Sequence, residues 1–229
     1  MRTVKSHHTR KNELLDTAES LFFTKGYDQT TVQDILQAAG IAKGTFYHYF
    51  KSKEEMMDAV VIRYIEAGVA AAEQIVSDPG LTVHEKLLRV VMAQKPEAGV
   101  QERLLEQFHE PQNALLHQKS LTETLLRLTP VLTRVIEQGK AEGLFHTPFP
   151  RESVEFLLAA SQFLFDEGLF HWQPEALSRK IEAFIHIMET VLGAETGSLA
   201  YAAGMFGQSP DQRKEKDRPD AENAAGSNT

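Results

Sequence analysis

The sequence predicts an all-α protein, with three short helices at the amino end and a larger helical body behind them. Three observations carry this. Apolar residues recur three and four positions apart over nearly the whole chain, and no stretch alternates apolar and polar residues as a half-buried strand does. No Asn-Gly or Asp-Gly pair marks a hairpin turn. Capping residues precede the apolar stripes at Thr30, Ser52 and Thr82.

Taken in order, Leu14, Leu15, Ala18, Leu21 and Phe22 form the stripe of a first helix, which Gly26 ends. "TTVQ" predicts a capping box, with Thr30 as N-cap and Gln33 at N3, and Val32, Ile35, Leu36 and Ala39 then face inward up to Gly40. A third helix is expected from Lys43 to Tyr49. Ser52 with Glu55 opens a long helix through Tyr64 to about Val76, and "SDPG" at 77–80 is a turn. Thr82 with Glu85 opens a helix that Pro96 closes. A short helix is expected from Val100 to His109, ending at Pro111. A long one should run from Asn113 to Glu142, with Pro130 as the place for a bend. "PFPRE" starts another to about Phe170, and Pro174 sits in the first turn of the last, to Leu192. Whether 195–206 adds a short helix is left open by the pattern. From Gly207 onward no Val, Ile, Leu, Met or aromatic residue appears, which predicts a disordered polar tail. The expected organisation is 1–52, 53–206 and the tail 207–229.

At 229 residues, 42% hydrophobic, the chain can bury a sizeable core. With 0 cysteines it has no disulfide framework, zinc-thiolate site or cysteine nucleophile. The opening "MRTVKSHHTRKNELLDTAE" lacks the apolar core of a secretory signal, and no apolar run approaches the roughly 20 residues of a membrane span. The expectation is a cytoplasmic protein with no membrane partner. The net charge is −8, yet residues 1–53 hold eight Lys or Arg against five Asp or Glu. A basic head on an acidic body suggests a head that meets a polyanion.

The second and third helices, joined at Gly40, read as a helix-turn-helix. Phe46 and Phe50, four apart, point to the core. Thr45, Tyr47, His48 and Tyr49 are left on exposed or flanking faces, with Lys43 and Gly44 at the amino end. A recognition helix needs such an end: base-reading side chains project first, and a small residue permits close approach to the groove. Tyrosine hydroxyls can donate to phosphates and Lys53 can neutralise one. Thr30 and Thr31 stand at a helix start, where free N–H groups favour an anion.

"TTVQDILQAAGIAKGTFYHYFKSKEEMMDAV" resembles the helix-turn-helix signature of the TetR family of bacterial transcriptional regulators, with Thr31, Ile35, Gly40, Ile41, Gly44, Thr45, Phe46, Tyr47, Phe50, Lys53 and Glu54 in its fixed places. The resemblance implies phosphate contacts at Thr31, Tyr47, Tyr49 and Lys53, and base-facing roles for Lys43, Thr45 and His48. Gln33 departs from an arginine frequent in relatives, and by geometry could pair with adenine. Tyr49 departs from a frequent histidine. For the arm with Lys5, Arg10 and Lys11 two readings stand open, a contact with the DNA backbone or minor groove and a frayed terminus.

For the rest the resemblance implies an all-helical effector-binding and dimerisation domain. Val154–Phe170 and Leu177–Leu192 are apolar on more than one side, as helices of an intersubunit four-helix bundle are. The expected dimer face is Phe156, Ala160, Phe163, Leu164, Ile181, Phe184, Ile185 and Met188. Two copies could then engage half-sites of a palindromic double-stranded DNA operator about 34–36 Å apart. An effector pocket for a small hydrophobic or aromatic molecule is expected among Tyr64, Leu88, Met92, Phe108, Leu115, Phe163 and Phe165. Glu106 and His109 have a spacing that can share a metal, but no second such pair appears, so no metal, cofactor or catalytic residue is expected. No phosphate-binding glycine loop, G-x-S-x-G or H-E-x-x-H occurs. The competing class, an all-helical metalloenzyme or carrier, predicts bound metal and indifference to DNA. The favoured function is a non-enzymatic, homodimeric, ligand-responsive regulator, a repressor released from its operator by the effector.

Overall fold

The computed structural model describes residues 7–94, 114–166 and 169–206, all α-helix, 3-10 turn or connecting loop. Helix α1 (His7–Lys25) buries Leu14, Leu15, Ala18 and Phe22. It ends at Gly26, whose φ of 88° lets its N–H return to the Phe22 carbonyl at 3.1 Å. Helix α2 (Val32–Ala39) stops at Gly40, again left-handed with φ 61°. Helix α3 (Lys43–Tyr49) follows after two residues, and Ser52 caps α4 (Lys53–Ser77) by accepting from the Glu55 N–H at 3.2 Å. Thr82 and Glu85 form a capping box at the start of α5 (Val83–Ala93). Then come α6 (Ala114–Ala141), α7 (Pro150–Leu164) and α8 (Pro174–Leu192).

Two hydrophobic cores result, and α4 belongs to both. The first joins α1, α2 and α3 to the near half of α4 through Phe46, Phe50, Met56, Met57, Val60 and Val61. The second gathers Ala72 of α4 with Val83, Leu87 and Val90 of α5, Leu128, Val131, Leu132, Val135 and Ile136 of α6, and Phe145, Val154, Leu192 and Leu199. Burying such side chains stabilises by about 1.5–3 kcal/mol each. A movement of α4 therefore moves the head, because its near half is head core.

Helices α4 and α6 are also joined by ion pairs: Asp58 with Lys119, Glu66 with Arg127 at 3.2 Å, and Glu73 with Arg134. The partners rise together along both helices, so the two run parallel, with the acids on α4 and the bases on α6. Pro130 lies inside α6 on its exposed side, so the helical hydrogen bond it removes is the one to the carbonyl of Leu126, itself a solvent-exposed residue. Gly139 is required by close approach: a Cβ there would collide with the Phe145 ring, which packs on α6.

Two expectations are corrected and one open stretch is resolved. The N-cap of α2 is Thr31, not Thr30, and its capping-box partner is Asp34, not Gln33; the Thr30 N–H already closes the preceding turn onto Gly26 and Tyr27 carbonyls. Helix α7 stops at Leu164, short of Phe170; the Leu169 N–H, which a continuing helix would give to the Phe165 carbonyl, donates instead to the Asp166 carboxylate at 3.0 Å. The open stretch 195–206 forms a 3-10 turn (Ala200–Ala202) and one α turn (Ala203–Phe206), pinned where buried Glu189 accepts from the Leu199 N–H at 3.0 Å. The expected helix at 100–109, with Glu106, Phe108 and His109, and the tail 207–229 lie outside the described residues.

Candidate nucleic-acid interface

The αL cap at Gly40 turns the chain so that α3 leaves one face outside. Phe46 and Phe50 are fully buried against α1 and α2, and this orients everything else on the helix. Lys43, Gly44, Tyr47 and His48 are exposed, Thr45 and Tyr49 half-buried. The Lys43 ammonium lies 5.8 Å from the Tyr47 ring centre, and a Cβ on Gly44 would meet nothing within 4 Å, so the helix start is open. Thr31 and Gln33 are exposed in the first turn of α2. The face therefore brings together eight of the ten expected DNA-facing residues: Thr31, Gln33, Lys43, Gly44, Thr45, Tyr47, His48 and Tyr49.

The other two are corrections. Thr30 is 1% exposed, and its hydroxyl donates to the Gly26 carbonyl at 2.6 Å, so it locks the α1–α2 turn instead of facing a phosphate. Lys53 turns inward: its ammonium donates to the carbonyls of Tyr27 at 2.8 Å and Thr30 at 3.0 Å, and sits over the Tyr27 ring. Burial, and then the nearby Glu54 carboxylate, push the Tyr27 phenol up to about 12. At the head of α2, the Lys25 ammonium at 2.6 Å, then the Thr31 N–H and hydroxyl, hold the Asp34 carboxyl well below the usual carboxylate range. The charged cap stays ionised, and with Thr31 it fixes where α2 begins.

One residue of this face escaped sequence reasoning. The His7 ring, from the first turn of α1, lies 5.5 Å from His48 and 4.7 Å from Tyr49. Periodicity within α1 carries no signal of a contact with α3.

In the body, α7 and α8 leave a row of apolar side chains outside: Phe156 at 73% exposure, Phe163 at 53%, Leu164, Ile187 at 50% and Val191. Phe156, Phe163 and Leu164 were expected there; Ile187 and Val191 were not, although the breadth of the apolar stretch in α8 was their signal. Phe184 is a correction: it is buried inside the subunit, edge-on to Phe165 at 5.4 Å and Phe206 at 5.3 Å. Ile185 and Met188 pack onto the second core, and Ala160 and Ile181 are half-buried.

The expected effector liners are not gathered into one cavity. Met92 is 45% exposed, a correction, since a solvent-facing side chain encloses nothing. Tyr64 packs on the head core, Phe163 sets its ring 5.3 Å from Phe170, Phe165 joins Phe184 and Phe206, and Leu88 is half-buried. Phe108 and the Leu115 side chain lie outside what is described. A cleft of about 410 Å³ is lined instead by His84, Leu144, His146, Glu195 and Ser198 among others. Among the described residues no group of His, Asp or Glu could hold a metal ion, and no helix is long and apolar enough to cross a membrane.

A three-helix helix-turn-helix head, its second turn closed by a left-handed glycine, riding on an all-helical body through one shared helix, defines a class of bacterial regulatory folds. Two family models match: "Bacterial regulatory proteins, tetR family" over residues 14–60, and "Tetracyclin repressor-like, C-terminal domain" over residues 98–187. The chain belongs to the TetR family. It is similar to the HTH-type transcriptional repressor KstR2 of Mycolicibacterium smegmatis, 39% identical over 85 residues, which is 37% of this chain and 41% of the relative. With KstR2 of Rhodococcus jostii it shares 47% over 57 residues, 25% of this chain and 28% of the relative. The chain thus spans less than half the length of these curated relatives. In fold it is similar to a TetR-family regulator structure from Mesorhizobium loti, with TM-score 0.58 and 18% identity over 82% of this chain and 98% of that one. Salmonella enterica GusR gives 0.53 and 18% over 84% and 100%.

Proposed function

We propose that the chain is a homodimeric, ligand-responsive, DNA-binding transcriptional regulator of the bacterial cytoplasm, a repressor that leaves its palindromic operator when a small hydrophobic or aromatic effector binds. The observation that carries this is the outward face of α3. Lys43, Gly44, Tyr47 and His48 are all exposed on a helix whose other side is locked into the core by Phe46 and Phe50. A polar and aromatic helix start with a glycine approach fits the floor of a major groove, and Thr31 and Tyr49 flank it for phosphates. The exposed row Phe156, Phe163, Leu164, Ile187 and Val191 supports pairing of two copies, since a monomer gains nothing by leaving it wet.

The mechanism follows from α4 being shared by both cores. The effector-free body holds two α3 helices about 34–36 Å apart. An effector that prefers another body conformation tilts α4, carries the head with it and lowers operator affinity by its differential binding, about 1–3 kcal/mol. No residue is assigned a catalytic role. A bandshift with purified protein on its own upstream DNA tests the reading. A salt-sensitive, sequence-dependent shift is expected; a protein that binds no DNA, or all DNA alike, overturns it.

A further inference from the structure

We infer that His7 is a positioning residue for the reading face: its ring holds the His48 imidazole in the orientation from which it meets a base edge. This rests on the DNA-binding function proposed above. His7, His48 and Tyr49 close a triangle of rings. His7 stands 5.5 Å from His48 at 79°, His48 stands 5.0 Å from Tyr49 at 82°, and His7 lies 4.7 Å from Tyr49 at 41°. Two of the three contacts are edge-to-face, the arrangement aromatic rings prefer. Tyr49 is the fixed corner, because it packs against the head core. His48 is an exposed side chain whose ring, on its own helix, meets only the edge of the adjacent Tyr49 among the ring contacts of the described residues. With His7 across from it, its rotamer is chosen before DNA arrives, and less ordering entropy is lost on binding. His7 is exposed and outside the hydrophobic core, so removing it leaves the fold intact while freeing His48.

The test uses the full-length protein and compares His7→Ala, His7→Phe, His48→Ala and the double alanine variant. The readouts are operator affinity, base preference in a randomised half-site library, thermal unfolding, and the His48 ring proton shifts without DNA. His7→Ala is expected to weaken operator binding about fivefold, the factor one edge-to-face ring pair is worth. It should relax preference at the same half-site position as His48→Ala, move the His48 ring shifts, and leave the unfolding temperature unchanged. His7→Phe restores the preference, and the double variant discriminates no worse than His48→Ala alone. Unaltered preference and unaltered ring shifts in His7→Ala, beside a wild type that discriminates sites, overturn the role of His7 alone. So do losses that add in the double variant. A wild type without sequence-dependent binding overturns the DNA-binding reading itself, and this inference with it.

Discussion

The ammonium of Lys53 donates to the carbonyl of Tyr27 at 2.8 Å while standing 4.0 Å from the centre of that residue's ring. One side chain at the start of α4 thereby closes the turn between α1 and α2, through a charge-assisted hydrogen bond and a cation–π contact on the same partner.

Lys53→Met keeps most of the stem and removes the charge. It is expected to lower stability by about 2 kcal/mol, from the hydrogen bonds of a charged donor and the ring contact together. Urea unfolding followed by circular dichroism reads this. Because the ammonium is spent inside the head, the salt slope of operator binding should change by less than the one unit a lost phosphate contact gives.

Asp34 makes the head sensitive to acid. Its folded carboxyl titrates below the usual range, because Lys25 and the Thr31 N–H and hydroxyl bond the charged form. A depressed folded value means its contribution is complete above the unfolded value of about 4 and is lost as pH falls through the folded one. Asp34→Asn should therefore lower stability at neutral pH and leave it unchanged at strongly acid pH. Unfolding midpoints across pH 2–7 check this; equal loss at both ends refutes it.

Thr129 is 1% exposed, and among the described residues its hydroxyl has no hydrogen-bond partner. Thr129→Val keeps the shape and removes the orphan, so it should stabilise by about 1 kcal/mol. A raised thermal midpoint is the sign to look for.

Phe156 and Phe184 should separate cleanly. Phe156→Glu, on the exposed row, is expected to give a folded monomer in sedimentation, with operator affinity reduced at least tenfold. Phe184→Ala, inside the subunit, should instead lower stability by about 3–5 kcal/mol.

The ion pairs between α4 and α6 are exposed and therefore individually weak. Arg134→Glu, which faces Glu73, should destabilise by less than about 1 kcal/mol at low salt, and the effect should vanish near 1 M salt, where the Debye length is about 3 Å. Unfolding at two ionic strengths distinguishes this from a packing defect, which salt does not relieve.

How much of this was legible beforehand divides by range. Helix ends at Gly40, Ser52, Thr82 and Pro174 follow from interactions within one or two turns, and those stand in the sequence as neighbours. So does the face of α3, because Phe46 and Phe50 four apart dictate which side is buried. The N-cap slipped by one residue because two threonines stand side by side, and only the turn before them shows that the Thr30 N–H is already used.

Sequence by itself determined the all-helical class, the helix-turn-helix and which side chains α3 leaves on its outer face, since periodicity and caps are local. Tertiary structure alone decided what lies across from each face. It turned Lys53 inward onto Tyr27, put Phe184 inside the subunit and Ile187 outside, aligned Asp58, Glu66 and Glu73 with Lys119, Arg127 and Arg134, and brought His7 to His48. A helical pattern states which side of a helix is apolar. It does not name the partner that side meets, because that partner comes from elsewhere in the chain and is chosen by packing.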